Sequence, residues 1–172
     1  MKKGSLEFRK TTDTDIEHVM EIIKQAQEYF KENNIDQWQD NYPTSQTIEN
    51  DILNGNSYVL LDKGAVAATA VISFDEEPNY KRIYDGQWLS DGKCAVIHRL
   101  AVDNTLKGLG ISSSIFQITE KMCLEKGINS IKVDTHEQNR SMQRLLEKNG
   151  YMYCGIIYVA NGGKRVAFEK LF

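Results

Sequence analysis

Ile97-His-Arg-Leu-Ala-Val-Asp103, followed by Asn104-Thr-Leu-Lys-Gly-Leu-Gly110, is the stretch on which the fold turns. Its first half is apolar except for His98 and Arg99, the composition of a central strand covered on both faces. Its second half is a polar loop with glycines at 108 and 110, after which Ile111, Ile115, Ile118 and Met122 recur at helical spacing. Strand, glycine loop and helix in that order suit anion capture. The glycines let backbone approach a ligand, and the first amides and positive dipole end of the helix face it. Lys107 adds a full charge, and Ser112 to Ser114 add hydroxyls in the first turn. Taken alone, Gly-x-Gly is a weak signal, and a tight loop without a ligand is the plain alternative.

Working outward, Gly127 stops that helix and Ser130 to Thr135 reads as the next strand, completing a strand-helix-strand unit. Asn139 to Lys148 reads as a short helix closed by Asn149-Gly150. Tyr151 to Val159 and Arg165 to Leu171 then form a hairpin through Asn161-Gly162-Gly163. Upstream, Leu6 to Lys10 is a strand, and Ile16, Val19, Met20, Ile23, Ala26 and Phe30 mark an amphipathic helix ending near Asn33 and Asn34. Residues 35–43 form an aromatic loop, and a second helix begins near Thr44 or Ser45 and stops at Asn54-Gly55-Asn56. Tyr58 to Leu61 and Ala65 to Phe74 pair across Asp62-Lys63-Gly64. Residues 75–93 are long for a connection, and either carry extra structure around Ile83 to Leu89 or line a cleft.

At 172 residues, without internal repeats or a flexible linker, the chain is expected to be a single domain over 1–172. A net charge of -3 and no long basic run argue against nucleic acid as a partner. The opening Met-Lys-Lys-Gly-Ser has no apolar segment behind it and no apolar stretch reaches spanning length, so a soluble, cytoplasmic protein without a membrane partner is expected. Cys94, Cys123 and Cys154 are odd in number and widely spaced, which suits buried thiols in a reducing compartment. His18, His98 and His136 form no close-spaced ligand set, so no metal is expected.

The pattern Leu100-Ala-Val102, then Lys107-Gly-Leu-Gly110, resembles the central signature of the GNAT superfamily of N-acetyltransferases. Asn139-Arg-Ser-Met-Gln-Arg-Leu-Leu-Glu-Lys-Asn-Gly-Tyr151 is similar to that family's downstream segment, and the order of elements fits along nearly the whole chain. The resemblance implies an α/β fold: a mixed, mostly antiparallel sheet in the order β1-α1-α2-β2-β3-β4-α3-β5-α4-β6-β7, with β4 and β5 splayed apart. It also implies acetyl-CoA as cofactor. Backbone at Leu100, Ala101 and Val102 would bond the pantetheine arm, and amides of Lys107, Gly108, Leu109, Gly110, Ile111 and Ser112 would hold the pyrophosphate. Asn139 would steady the thioester end, and a strand amide would stabilise the oxyanion of acyl transfer. The acceptor would be a primary amine of a small molecule or peptide, attacking directly. A homodimer is left open.

Two departures stand out. Thr105 replaces the Arg or Gln that usually opens the glycine loop, and Leu146 replaces a tyrosine that often serves as general acid. Tyr151, Tyr153 and Tyr158 are the substitutes nearest in sequence. The amine's proton needs an acceptor, for which Asp134 is slightly favoured over His98; a satisfied strand histidine and a loop-capping aspartate are the plain alternatives. Trp38 and Tyr42, with Tyr84 and Trp88, are candidate walls for the acceptor pocket, or else ordinary packing. Two other readings remain: an acyl-CoA-binding sensor without chemistry, and a dinucleotide-binding protein. The second is disfavoured because Ser113 stands where a third glycine is needed and too little chain follows Asp134.

Overall fold

The structure is a computed structural model that describes residues 6–172, so the basic opening at residues 1–5 lies outside the described residues. The elements are β1 (Leu6–Lys10), α1 (Ile16–Glu32), α2 (Ser45–Leu53), β2 (Ser57–Asp62), β3 (Ala65–Ser73), β4 (Ala95–Val102), α3 (Ile111–Glu125), β5 (Ser130–Thr135), α4 (Arg140–Lys148), β6 (Met152–Tyr158) and β7 (Lys164–Leu171). This is the element order expected from the sequence. The seven strands form one sheet in the order β1-β2-β3-β4-β5-β7-β6. The β1–β2, β2–β3, β5–β7 and β6–β7 pairs are antiparallel and β4–β5 is parallel. The β4–β5 register consists of Ala95↔Ile131 and Val96↔Lys132, although β4 runs on to Val102 and β5 to Thr135. That early end to the ladder is the expected splay.

By its internal contacts the chain divides into two compact units, residues 1–72 with 99–115 and residues 73–98 with 116–172. In the first, α1 and α2 lay Val19, Ile23 and Ile48 on Val59 and Leu61 of β2. Thr44 caps α2 by accepting from the Thr47 amide at 3.3 Å, and α1 is led in by Asp15, whose carboxylate takes Arg9 in a two-bonded pair at 2.7 and 3.0 Å.

In the second unit, Val96 packs with Ile157 and Ala167, and the long 75–93 connection supplies Tyr80 to the same cluster. The connection has a single helical turn at Pro78–Tyr80 and a bridge between Tyr84 and Ile156. A fully buried carboxylate, Glu169 of β7, fastens its far end. Glu169 accepts from the Leu89 amide at 2.6 Å, the Ser90 amide at 3.3 Å and the Ser130 hydroxyl at 2.7 Å, and also from the Ser90 hydroxyl. Lys132 adds a bond to the Ser90 carbonyl at 3.2 Å and lies over Trp88, 4.5 Å from the ring centre. Several charge-assisted bonds thus converge on one buried group, so its removal orphans several donors together.

Two stability predictions follow from these contacts. Glu169→Ala is expected to cost about 3 kcal/mol by chemical denaturation, because buried donors lose their acceptor; a loss below about 1 kcal/mol contradicts this. Arg9 and the Thr12 donors hold Asp15 down to about 2 from an ordinary 3.8. A depressed carboxyl stabilises the fold above its unfolded value and loses that contribution as pH falls. Wild type should therefore lose about 1–2 kcal/mol between pH 4 and pH 2 that Asp15→Asn does not, allowing for the solvent that reaches Arg9.

Candidate functional site

The glycine loop belongs to the first unit. Gly108 and Gly110 have φ of 80° and 82°, the left-handed region in which a side chain is strained, and an added Cβ at either would meet nothing within 4 Å. The conformation, rather than space, is what calls for glycine. The first helical bond of α3 runs from the Ser114 amide to the Gly110 carbonyl, so the amides of Ile111, Ser112 and Ser113 precede the hydrogen-bonded turns. Three donors and the positive end of a 15-residue helix therefore follow two positions, 108 and 110, that carry no side chain and flank the exposed Leu109.

The approach to the loop is fixed. Asp103 accepts from the Thr105 amide at 2.9 Å and from the Thr105 hydroxyl at 2.5 Å, which lowers the Asp103 pKa, and Gln25 of α1 donates to Asp103 at 3.1 Å while accepting from the Asn104 amide at 2.8 Å. Thr105 thus serves the turn. Lys107 extends over Tyr29, its ammonium 4.8 Å from the ring centre. Upstream, Leu100 to Val102 finish β4, with Ala101 buried, and Arg99 just before them has a φ of 49°.

The second unit gathers the titratable groups. His98 Nε2 lies 3.0 Å from Glu77 Oε2, with both side chains largely covered. Asp134 accepts from the Tyr80 hydroxyl at 2.6 Å and has Arg165 Nε at 4.0 Å. Burial, and then the neighbouring Asp134, raise the Tyr80 pKa well above the ordinary phenol value, so Tyr80 stays protonated and donates. Tyr80 and His98 are neighbours, with ring centres 6.3 Å apart. Neither Glu77 nor Tyr80 was marked by the sequence, since both sit in a polar connection without periodicity. Tyr80 in a charged loop is the faint signal that was there to find. Asn139 is buried and caps α4, accepting from the Met142 amide at 3.2 Å.

The aromatic candidates separate by surroundings. Trp38 packs edge-on against Phe30 at 5.6 Å and joins the α1–α2 core, whereas Tyr42 is exposed and its hydroxyl accepts from Arg99 Nη1 at 2.6 Å. Trp88 donates to the Tyr80 carbonyl at 2.9 Å. Tyr84 is exposed and meets Tyr158 edge-on at 5.4 Å, beside Pro78, Asn79, Lys81 and Arg82 around a shallow hollow. Leu146 is fully buried. Of the substitute tyrosines, Tyr151 is buried against Phe116, while Tyr153 and Tyr158 are exposed. Burial pushes the Cys123 thiol up to about 11 and raises Cys94 and Cys154 too, which disfavours thiolate chemistry at all three. Among the described residues, no group of three His, Cys, Asp or Glu side chains is placed to hold a metal, and no helix is long and apolar enough to cross a membrane.

Residues 20–151 match the Acetyltransferase (GNAT) family. A GNAT-family acetyltransferase from Streptococcus agalactiae is 32% identical, over 97% of this chain and 95% of its own, with a TM-score of 0.88. Two more distant structures share the fold. One is a GNAT-family acetyltransferase from Listeria monocytogenes, 20% identical over 97% and 95% of the two chains, with a TM-score of 0.73. The other is the PaiA N-acetyltransferase of Thermoplasma acidophilum in complex with coenzyme A, 17% identical over 98% and 99%, with a TM-score of 0.72. No curated protein matches the chain. With most of its length inside the family match, and with the element order, the splayed β4–β5 pair and the glycine loop before α3 all present, the chain belongs to the GNAT family of acetyltransferases.

Proposed function

We propose that the protein transfers an acetyl group from acetyl-CoA to a primary amine of a small molecule or peptide by direct attack. The observation that carries this is the pair of left-handed glycines before the open amino terminus of α3. These residues suit a pyrophosphate: the amides of Ile111 to Ser113 precede the first helical bond, no side chain stands at 108 or 110, and the dipole end is positive. Lys107 to Ser112 would hold that group, Leu100 to Val102 the pantetheine arm, and Asn139 the region near the thioester. When bound, acetyl-CoA supplies an activated acyl group with a thiolate leaving group.

For the proton, the geometry favours His98 over Asp134, reversing the order drawn from sequence. Asp134 already accepts from the Tyr80 phenol at 2.6 Å and has the Arg165 guanidinium at 4.0 Å, so its oxygens are occupied by protein partners. His98 has its Nε2 at 3.0 Å from the Glu77 carboxylate, a contact that fixes the ring and leaves Nδ1 as the nitrogen available to take a proton. Glu77 then orients the ring, and Tyr80, which keeps its proton, is the buried donor beside it. Of the aromatic candidates for contacting the acceptor amine, Tyr84 is exposed and lies in the same unit as His98.

Gly110→Val forces a branched side chain into left-handed backbone and should weaken CoA binding at least tenfold by calorimetry, with some loss of stability but the fold retained. Unchanged affinity removes the cradle from this loop. On a competent amine found by thiol release across polyamines, amino acids and amino-terminal peptides, His98→Gln should lose on the order of a hundredfold in kcat with CoA affinity intact. If Asp134→Asn shows this behaviour and His98→Gln does not, Asp134 is the base. Tight CoA binding without turnover on any amine favours a sensor.

A further inference from the structure

Arg99 combines two features that belong together. It is a non-glycine residue at φ 49° inside a strand, immediately before the three residues whose backbone is read here as the pantetheine ladder. Its guanidinium is also engaged through all three nitrogens: Nε donates to Asp51 Oδ2 at 2.8 Å, Nη2 to Asp51 Oδ1 at 2.6 Å, and Nη1 to the Tyr42 hydroxyl at 2.6 Å. Only 18% of the Arg99 side chain and 10% of the Asp51 side chain are exposed. Burial disfavours the cation, but Asp51 and Tyr42 outweigh it and raise the Arg99 pKa.

A non-glycine residue in the left-handed region inside an extended strand is strained, and it persists only where the surroundings over-determine it. The fork of Arg99 supplies that determination, because a two-bonded arginine–carboxylate pair fixes direction as well as distance. Asp51 is carried by α2, which is seated by Ile48 on the first unit's core, so the anchor is rigid. The left-handed turn at 99 in turn re-aims the peptide groups that follow it, as an irregularity in a strand does.

We propose that Arg99 is a positioning residue, latched by Asp51 and Tyr42, that holds β4 in the left-handed turn and so presents the Leu100 to Val102 backbone to the cofactor arm. The effect on CoA rests on the cofactor reading given above; the latch itself does not.

The test compares Arg99→Ala with Arg99→Gly. Both remove the guanidinium and leave Asp51 equally unpaired, so any general loss of stability is shared between them. Only glycine adopts the left-handed turn without strain. The latch predicts that Arg99→Ala weakens CoA binding by about tenfold, while Arg99→Gly recovers to within about threefold of wild type. Exchange of the Leu100 to Val102 amides in the absence of CoA should accelerate in Arg99→Ala and return toward wild type in Arg99→Gly. Asp51→Ala should weaken CoA binding in the wild-type background and have no further effect in the Arg99→Gly background. Equal losses in the alanine and glycine variants, or wild-type amide exchange in both, overturn the latch. If the exchange pattern appears but wild type does not bind CoA, the latch stands and the cofactor reading fails.

Discussion

Strand β4 is the constraint on which the rest of the structure depends. Its ladder with β5 stops after Ala95↔Ile131 and Val96↔Lys132, yet the strand continues for six more residues. Every backbone amide and carbonyl must be satisfied by protein, water or ligand. A central strand that leaves its parallel neighbour early has hydrogen-bonding groups on that edge that β5 does not take, and the left-handed residue at 99 lies among them. The same economy governs the next element, since the first amides of α3 come before its first helical bond, from Ser114 to Gly110.

Around that constraint the chain uses carboxylates to immobilise loops. Asp51 fixes Arg99, Asp103 and Gln25 fix the turn into the glycine loop, and Glu169 fixes the end of the 75–93 connection. In each case a carboxylate meets several donors, which is the condition under which a poorly exposed charge is tolerated. These are the elements that a binding site must hold still, because ordering them on binding would subtract from affinity.

The periodic parts of this fold were legible in the sequence to within a residue or two. Helical spacing from Ile16 to Phe30 and from Ile111 to Met122, and apolar runs at 58–61 and 94–102, are set by burial, which leaves a regular trace. The glycine loop was legible for a different reason: left-handed backbone needs glycine and so writes itself into composition. The partners of charged side chains were not legible. Asp51 and Arg99 are 48 residues apart, Tyr80 and Asp134 are 54 apart, and no period links them. Asp134 was therefore favoured for its place at a strand end, without the phenol that occupies it. Trp38 is an aromatic in a loop by sequence, and its packing against the α1–α2 core leaves no periodic trace there. The 75–93 connection, polar and aperiodic, concealed both Glu77 and the Glu169 clamp.

The central claim is that the open amino terminus of α3, behind Gly108 and Gly110, is where the cofactor's pyrophosphate is bound. Titration of the isotope-labelled protein with CoA, followed through its backbone amide resonances, tests this most directly. The account predicts saturable shifts that are largest at the amides of residues 107–113, with a second set at 100–102. Saturable binding whose shifts spare 107–113, or no binding at millimolar CoA, would contradict it.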